Sequence, residues 1–490
     1  DGCRSNRASA RECAKAHSFL YGGESKEIMK QTMKKTGKTY EMDMCNGPLF
    51  PKIVAFAVPL ILSGILQLLF NAADIIVVGH FAGRESLAAV GSTTALINLM
   101  INIFVGLSIG ANVLVAQYSG AQKYKDLEET VHSAMMIAMA GGVLLIFVGV
   151  FFSGPMLRLM GTPDDVLHLA ALYLKIYFIG MPATLTYNFG SAILRAVGDT
   201  RRPLYFLLFA GAVNVVLNLF FVIALSMGVA GVATATVVSE CISAALIVRC
   251  LARSDAAYRL QREKLKLTES KVKLIMKIGL PAGLQGAIFS VSNVLIQSSI
   301  NSFGSVAMAG STASANVEGF VYNAMNAVYQ TALSFTSQNY GAGKMKRVTK
   351  ILLYCLGLVV VVGVVMGDGA VLLGPKLLQI YSSDPEVISY GMMRMRIING
   401  TYFLCGIMDT MVGGLRGLGF SVVPMFVSLT GACAFRVIWI FTVFAMHRTL
   451  PTLYISYPVT WIITFTAHVI SYVIIRRMLA ARNAKRAEKQ

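Results

Sequence analysis

From Ile53 to Gly79 the chain runs 27 residues with a single charged side chain, Asp74. About 20 consecutive apolar residues cross the hydrocarbon core of a bilayer, so a run this long constrains the fold more than anything else in the sequence. The pattern recurs. Ala88 to Gln117, Ser133 to Phe152, Val166 to Leu194, Pro203 to Met227 and Val229 to Leu251 follow in the first half. Leu274 to Ile300, Ala307 to Gln338, Ile351 to Leu373, Val387 to Leu415, Val423 to Met446 and Leu453 to Ile475 follow in the second. Strands of a membrane barrel alternate with period two, and these runs do not. The expected fold class is all-α and integral to the membrane, with twelve transmembrane helices. Composition agrees, with 56% apolar and 14% charged residues and a mean hydropathy of +0.65, against about 25% charged in soluble domains.

The formal charge of +19 raises nucleic acid as a partner. The cations are not gathered on one domain or face, however. They sit in short segments between apolar runs, with neither zinc-finger spacing nor an aromatic RNA-binding motif, so no nucleic-acid partner is expected. Membrane topology explains them better, because loops on the cytoplasmic side are enriched in Lys and Arg. With the N-terminus inside, the inner segments hold Lys123, Lys125, Arg201, Arg202, the cluster from Arg253 to Lys273, Lys344 to Lys350 and the tail from Arg476. The outer segments hold Arg84, Arg158, Lys376 and Arg448. Both termini are therefore expected in the cytoplasm, at the cell membrane of a bacterium.

The two halves match at an offset of 221 to 222 residues. Pro59, Gly64 and Asn71 fall on Pro281, Gly286 and Asn293. Gln117-Tyr-Ser-Gly-Ala-Gln-Lys123 falls on Gln338-Asn-Tyr-Gly-Ala-Gly-Lys344, and Leu194, Arg195, Gly198 and Pro203 on Leu415, Arg416, Gly419 and Pro424. Six spans per half is an even number, so the repeats share one orientation, as in parallel-repeat transporters. The expected organisation is a polar tail over 1–45, a first lobe over 46–252, a basic linker over 253–273, a second lobe over 274–478 and a basic tail over 479–490. The tail lacks the apolar stretch of a signal peptide and reads as disordered or as an upstream extension, Met29 and Met33 offering alternative starts.

Ionisable and polar groups inside a membrane are costly and mark candidate sites. Asp74 lies near the outer end of the first span. Asn214 and Asn218 are one turn apart on the fifth, and Thr236 and Glu240 one turn apart on the sixth. Asn218 precedes the turn at Met227 by nine residues and Thr236 follows Gly228 by eight, which places both roughly 12–14 Å below that turn. A carboxylate with neutral oxygens suits a hard cation or an exchangeable proton. In the second half Glu318, Asp409 and Arg436 form a possible polar site, with Glu318 and Arg436 expected to pair at mid-membrane. Pro59, fifteen residues before Asp74, permits a bend in the first helix. His80 and His132 sit at span ends and His468 stands alone. Met392, Met393 and Met395 cluster in the tenth span and read as packing. The cysteines show no CxxC pair and read as small apolar residues. No metal site and no cofactor are expected.

Several of these motifs resemble the multidrug and toxic compound extrusion family. Pro59 with Phe70-Asn-Ala-Ala-Asp74-Ile-Ile-Val-Val-Gly79 is similar to its first helix. Gln117 to Gln122, Leu194-Arg195-Ala-Val-Gly198-Asp199, Asn214 to Asn218 and Gly228 to Thr236 resemble its later segments, and the resemblance spans residues 45 to 480. It implies export of small organic, often cationic molecules by antiport with H⁺ or Na⁺, by alternating access between two lobes. It also implies that Asp74, Asn214, Asn218 and Thr236 match a first-lobe cation site. Some members carry Asp where Asn218 stands and an acid on the seventh helix, where Phe289-Ser-Val-Ser-Asn293 has none. The alternative is a flippase for a lipid-linked oligosaccharide or lipid on a related helical plan. Such a flippase would line its path with several cations, whereas Arg436 is the only deep one identified. An enzyme would need a constellation such as HExxH, which is absent, and a channel would need a filter-like motif. Apart from the bilayer and the small-molecule cargo, no obligate protein partner is evident.

Overall fold

The computed structural model describes residues 40–487, so the expected tail lies, but for its last six residues, outside the described part. The helices follow the apolar runs. Spans 1, 2 and 3 are Leu49–Phe81, Arg84–Gly120 and Tyr124–Leu159. Span 4 is the helix pair Asp164–Ile179 and Met181–Ala196, span 5 is Arg201–Ala224 and span 6 is Gly228–Ala252. Spans 7, 8 and 9 are Glu269–Asn301, Ser305–Gly341 and Met345–Leu372. Span 10 joins Pro385–Ile398 to Phe403–Gly417, span 11 is Val422–Met446 and span 12 is Leu450–Ala487. Among the described residues nine of these helices are long and apolar enough to cross a membrane, and the bent pair of span 4 makes a tenth. Span 8 falls short because Ser, Thr, Asn and Gln line much of its length, and span 10 because it is two short helices.

The breaks have local causes and recur in both halves. Span 4 bends by 49° at Gly180, just before Pro182, whose missing N–H ends the first helix. Span 10 breaks into a 3₁₀ turn at Asn399–Thr401, the same place in the repeat. Gly198 and Gly419, with φ of 98° and 88°, take the left-handed conformation that ends spans 4 and 10. Span 7 begins at Glu269, so the last residues of the basic linker are already helix. The linker before it is tied to span 3. The Gln261 N–H donates to Nε2 of buried His132 at 3.0 Å and the Thr268 N–H to Ser133 Oγ at 3.1 Å. Lys264 pairs with Glu128, and buried Lys271 with Asp126.

The halves meet through shared apolar clusters, Ile53 and Phe56 of span 1 with Val328 and Phe335 of span 8 among them, and through close glycine contacts. Span 2 lies against span 7 so closely that a Cβ on Gly106 would stand 2.1 Å from the Gly283 nitrogen, and one on Gly110 2.5 Å from the Ile275 carbonyl. Without a hydrophobic drive between helices in lipid, such small-residue seams supply the close van der Waals contact that holds them together. At the basic end the halves exchange hydrogen bonds reciprocally. Gln117 donates to the Gly417 carbonyl and Gln338 to the Ala196 carbonyl, each at 3.0 Å. Gly120 packs on the Gln338 carbonyl and Gly341 on the Gln117 carbonyl. Residues 42–47 cross the same end. The Met42 N–H donates to the Gly198 carbonyl of the first half, while Asn339, Lys344 and Arg347 of the second donate to the carbonyls of Met44, Cys45 and Gly47.

Gly106→Val should push this seam apart, and overpacking a tight contact costs about 1–3 kcal/mol. The expected result is a thermal unfolding midpoint in detergent several degrees below wild type. Gly91→Val, on the same helix where an added Cβ meets nothing within 4 Å, should leave the midpoint unchanged. Equal midpoints for the two variants would deny the seam its role.

Candidate functional site

Between the halves, above the sealed basic end, lies a cavity of about 680 Å³ lined by spans 1, 2, 4, 5, 6 and 8. Its charged groups all come from the first half. Asp74 projects from span 1, Glu240 from span 6 and Arg195 from span 4. Span 8 contributes the amides of Asn323, Asn326 and Gln330.

The expected constellation is assembled around Asp74. Asn214 and Asn218 share a face of span 5 and are buried. The Asn218 amide donates both to Asp74 Oδ1 and, at 3.2 Å, to Asn214 Oδ1. The Asn218 carbonyl oxygen is buried and accepts no hydrogen bond. A buried polar atom is normally paired, so this orphan acceptor beside a carboxylate leaves a position for a cation or a proton donor. Among the described residues no cationic side chain forms an ion pair with Asp74. Thr236 and Glu240 line the same cavity, as their spacing on span 6 predicts. Thr236 is not bonded to Asp74; its hydroxyl donates to the Val232 carbonyl at 3.0 Å, leaving only its lone pairs for a ligand. Pro59 sits buried inside an unbroken helix from Leu49 to Phe81. Sequence reasoning missed Tyr173 and Tyr177, which stack with ring centroids 5.9 Å apart and line the cavity. Their one-turn spacing on the first helix of span 4 was the available signal.

The second half corrects one expectation. Glu318 does not pair with Arg436. Its two carboxylate oxygens accept from Arg394 Nε and Nη2, both at 2.8 Å, and Ser314 donates to it at 3.0 Å. Arg394 Nη1 also donates to Ser311 at 3.0 Å. Span 8 packs against the first helix of span 10, which carries Arg394, whereas span 11, which carries Arg436, packs on spans 7 and 12. Arg394 lies inside the methionine cluster Met392, Met393 and Met395, and the apolar reading of that cluster hid it. Arg436 instead donates from Nε to Thr460 Oγ1 at 3.1 Å and lies 4.3 Å from the Tyr457 ring centre. Asp409 is half-buried on the second helix of span 10 and belongs to no ion pair among the described residues. Arg416 donates to Tyr329 Oη and Gln285 Oε1, both at 2.8 Å.

The family profile described as MatE matches residues 59–220 and again 281–442. The chain belongs to the MatE family, the multidrug and toxic compound extrusion transporters. It is 27% identical over 383 residues to the probable multidrug resistance protein YoeA of Bacillus subtilis, covering 76% of this chain and 82% of that one. It is 20% identical over 376 residues to the multidrug export protein MepA of Staphylococcus aureus, covering 76% and 83%. Among solved structures it resembles an outward-facing multidrug resistance MATE transporter with a TM-score of 0.83, 20% identity and coverage of 91% and 99%. A MATE transporter of Vibrio cholerae, VcmN, is similar with a TM-score of 0.82, 21% identity and coverage of 87% and 97%.

The chain is thus a multi-pass membrane protein of an efflux family, and its two MatE segments are of equal length. Span 11, the counterpart of span 5 in the second segment, carries Arg436. The span that supports Asp74 through Asn218 in the first segment therefore has a counterpart that carries a guanidinium in the second. The ion pair that does form there is testable. Removing one partner of a buried pair costs about 3–5 kcal/mol because the other charge is left alone. Glu318→Ala and Arg394→Ala should each depress the thermal midpoint and the double change should recover part of the loss. A double-mutant cycle with additive losses would refute the pairing.

Proposed function

We propose that the protein exports small organic cations by antiport with H⁺ or Na⁺, the two cargoes competing for the Asp74 site. The observation that carries this reading is Asp74 joined to Asn218 at a cavity wall, with the Asn218 carbonyl left unpaired. Asp74 supplies charge, and the Asn218 carbonyl supplies a neutral oxygen of the kind hard cations take. Protonation neutralises the same carboxylate. A cationic drug in the cavity would be held by Asp74 and Glu240 against the rings of Tyr173 and Tyr177, where cation–π attraction adds to charge. Either occupant satisfies the site and each excludes the other, which is the requirement of exchange. Each shifts the protein between its two shapes only as far as its affinities for them differ. The names of YoeA and MepA, a resistance and an export protein for multiple drugs, support this class of cargo.

The excess of Lys and Arg supports a cytoplasmic basic end, in which case the glycine seam and the paired glutamines close the inner mouth. Cysteine labelling from outside should then reach positions in the turns after Phe81 and after Met446, and should not reach 253–268. External labelling of that linker would invert the orientation.

Asp74→Asn keeps an oxygen to accept from Asn218 and removes the charge. It should leave folding and membrane insertion intact while uncoupling ethidium efflux from imposed proton and sodium gradients, each applied separately to vesicles at matched protein level. Wild-type efflux that still answers to a gradient would make Asp74 structural and overturn the reading.

A further inference from the structure

The deep charges of the two halves have opposite balance. The cavity side of the first half holds the carboxylates of Asp74 and Glu240 with one guanidinium, Arg195. The second half holds three guanidiniums, Arg394, Arg416 and Arg436, with two carboxylates, Glu318 and Asp409. An arginine cannot shed its proton in a protein, so this excess is permanent. It is not shared equally. Arg394 donates from all three of its nitrogens, to Glu318 and Ser311. Arg416 has a phenol and an amide as neutral partners. Arg436 is 3% exposed, yet only its Nε donates, to Thr460. Among the described residues no side chain or carbonyl accepts from its two terminal nitrogens, and no carboxylate pairs with it.

We propose that Arg436 is the centre of an anion site in the second half, which takes the carboxylate, sulfonate or phosphate group of an aromatic amphiphile. A guanidinium presents its terminal N–H groups as a planar fork that matches such oxyanions with two parallel hydrogen bonds. Tyr457 lies 4.3 Å from the Arg436 guanidinium and holds it by cation–π attraction, a contact that uses none of its N–H donors. The aromatic part of the ligand has a matching surface. From Tyr457 the rings continue through Trp461, at 5.7 Å between centroids, and Tyr402, at 5.4 Å from Trp461, to Tyr322 at 6.5 Å from Tyr402. Tyr322 is 39% exposed and stands on span 8 beside Asn323 and one turn from Asn326, which line the cavity between the halves. The ladder therefore ends on the span that walls that cavity, and the cavity is taken as the source of the ligand. The repeat sharpens the point, since Arg436 stands on span 11, the counterpart of span 5, which carries Asn214 and Asn218 beside Asp74. Corresponding spans then serve a cation in one half and an anion in the other.

The test needs neither transport nor an ion gradient, so it stands apart from the Asp74 reading and either can fail alone. Both tryptophans of the chain are Trp439 and Trp461. Trp439 follows Arg436 by one turn and Trp461 stacks in the ladder, so the intrinsic emission of the purified protein reports on this region. Naphthalene-2-sulfonate should quench it saturably, and at least tenfold more tightly than the neutral 2-naphthalenemethanol. Arg436→Gln should weaken the sulfonate tenfold or more and leave the alcohol and ethidium unaffected. Arg436→Lys, which keeps the charge and loses the fork, should weaken the sulfonate at least threefold, and it carries the decision if the Gln variant does not fold. Equal affinity of wild type for sulfonate and alcohol would overturn the site. So would sulfonate affinity unchanged in Arg436→Gln, or in Arg436→Lys where that variant decides.

Discussion

Gln117 and Gln338 hold the molecule together at one end. Each donates to a carbonyl at the end of a helix in the opposite half, and each is overlain by a glycine, Gly341 and Gly120, from that half. A side chain on either glycine would occupy the space of a backbone atom. The hydrogen bonds are modest individually, about 0.5–1.5 kcal/mol each, but they form only when the two backbones touch, and the Gly106–Gly283 and Gly110–Gly279 contacts make that approach possible. Everything above the seam depends on it. Because spans 2 and 7 are in contact below, the other helices splay around a cavity, and the polar faces of spans 1, 5, 6 and 8 open onto it.

A seam of glycine and hydrogen bonds is suited to being broken. In lipid there is no hydrophobic penalty for parting helices beyond the lost packing. The segment 42–47 adds a second closure. It joins Gly198 of the first half to Asn339, Lys344 and Arg347 of the second largely through its own backbone carbonyls. Carbonyls freed at an aqueous interface find water, so release there costs less than it would at mid-membrane. The ion pair of Glu318 and Arg394 is the opposite kind of contact. It is buried, bidentate and internal to one half, and it fixes span 8 against span 10.

Much of this was legible in the chain. Apolar run length located the spans, because about 20 apolar residues cross a bilayer, but not all of their ends: span 3 begins nine residues before Ser133 and span 12 runs twelve past Ile475, where polar residues continue the helix. The repeat was visible because the same junctions are built twice, and residues quoted for it, Gln117 with Gln338 and Gly198 with Gly419, prove to be those that make them. Asp74, Asn214 and Asn218 stood out from cost, one-turn spacing and the family resemblance together, and the Asn218–Asp74 hydrogen bond brings them into one cluster. Partner choice was not legible. Depth placed Glu318 and Arg436 together, but depth says nothing of which face a helix turns or which helix adjoins it. Arg394 was lost among methionines for the same reason. Thr236 reached the right cavity and spends its proton on its own helix, an outcome common to a hydroxyl one turn from a free carbonyl.

The irregular backbone marks where the chain departs from plain transmembrane helices, and it falls in the same spans of both halves. Spans 4 and 10 break at equivalent places, and spans 5 and 11 each carry a π-helical turn, at Phe220–Ala224 and Leu429–Ala434. Inside a bilayer such irregularity persists only where protein or water satisfies the freed backbone groups, and π-turns concentrate at functional positions. Span 5 carries Asn214 and Asn218 just before its π-turn, and span 11 carries Arg436 just after its own. A π-turn inserts a residue and rotates the helical segment beyond it relative to the segment before it. In span 5 both asparagines therefore keep the register set at the basic end, while in span 11 Arg436 takes the register set beyond the bulge. The duplicated architecture thus carries an amide that meets a carboxylate in one half, Asn218 on Asp74, and a guanidinium that meets Thr460 and the Tyr457 ring in the other.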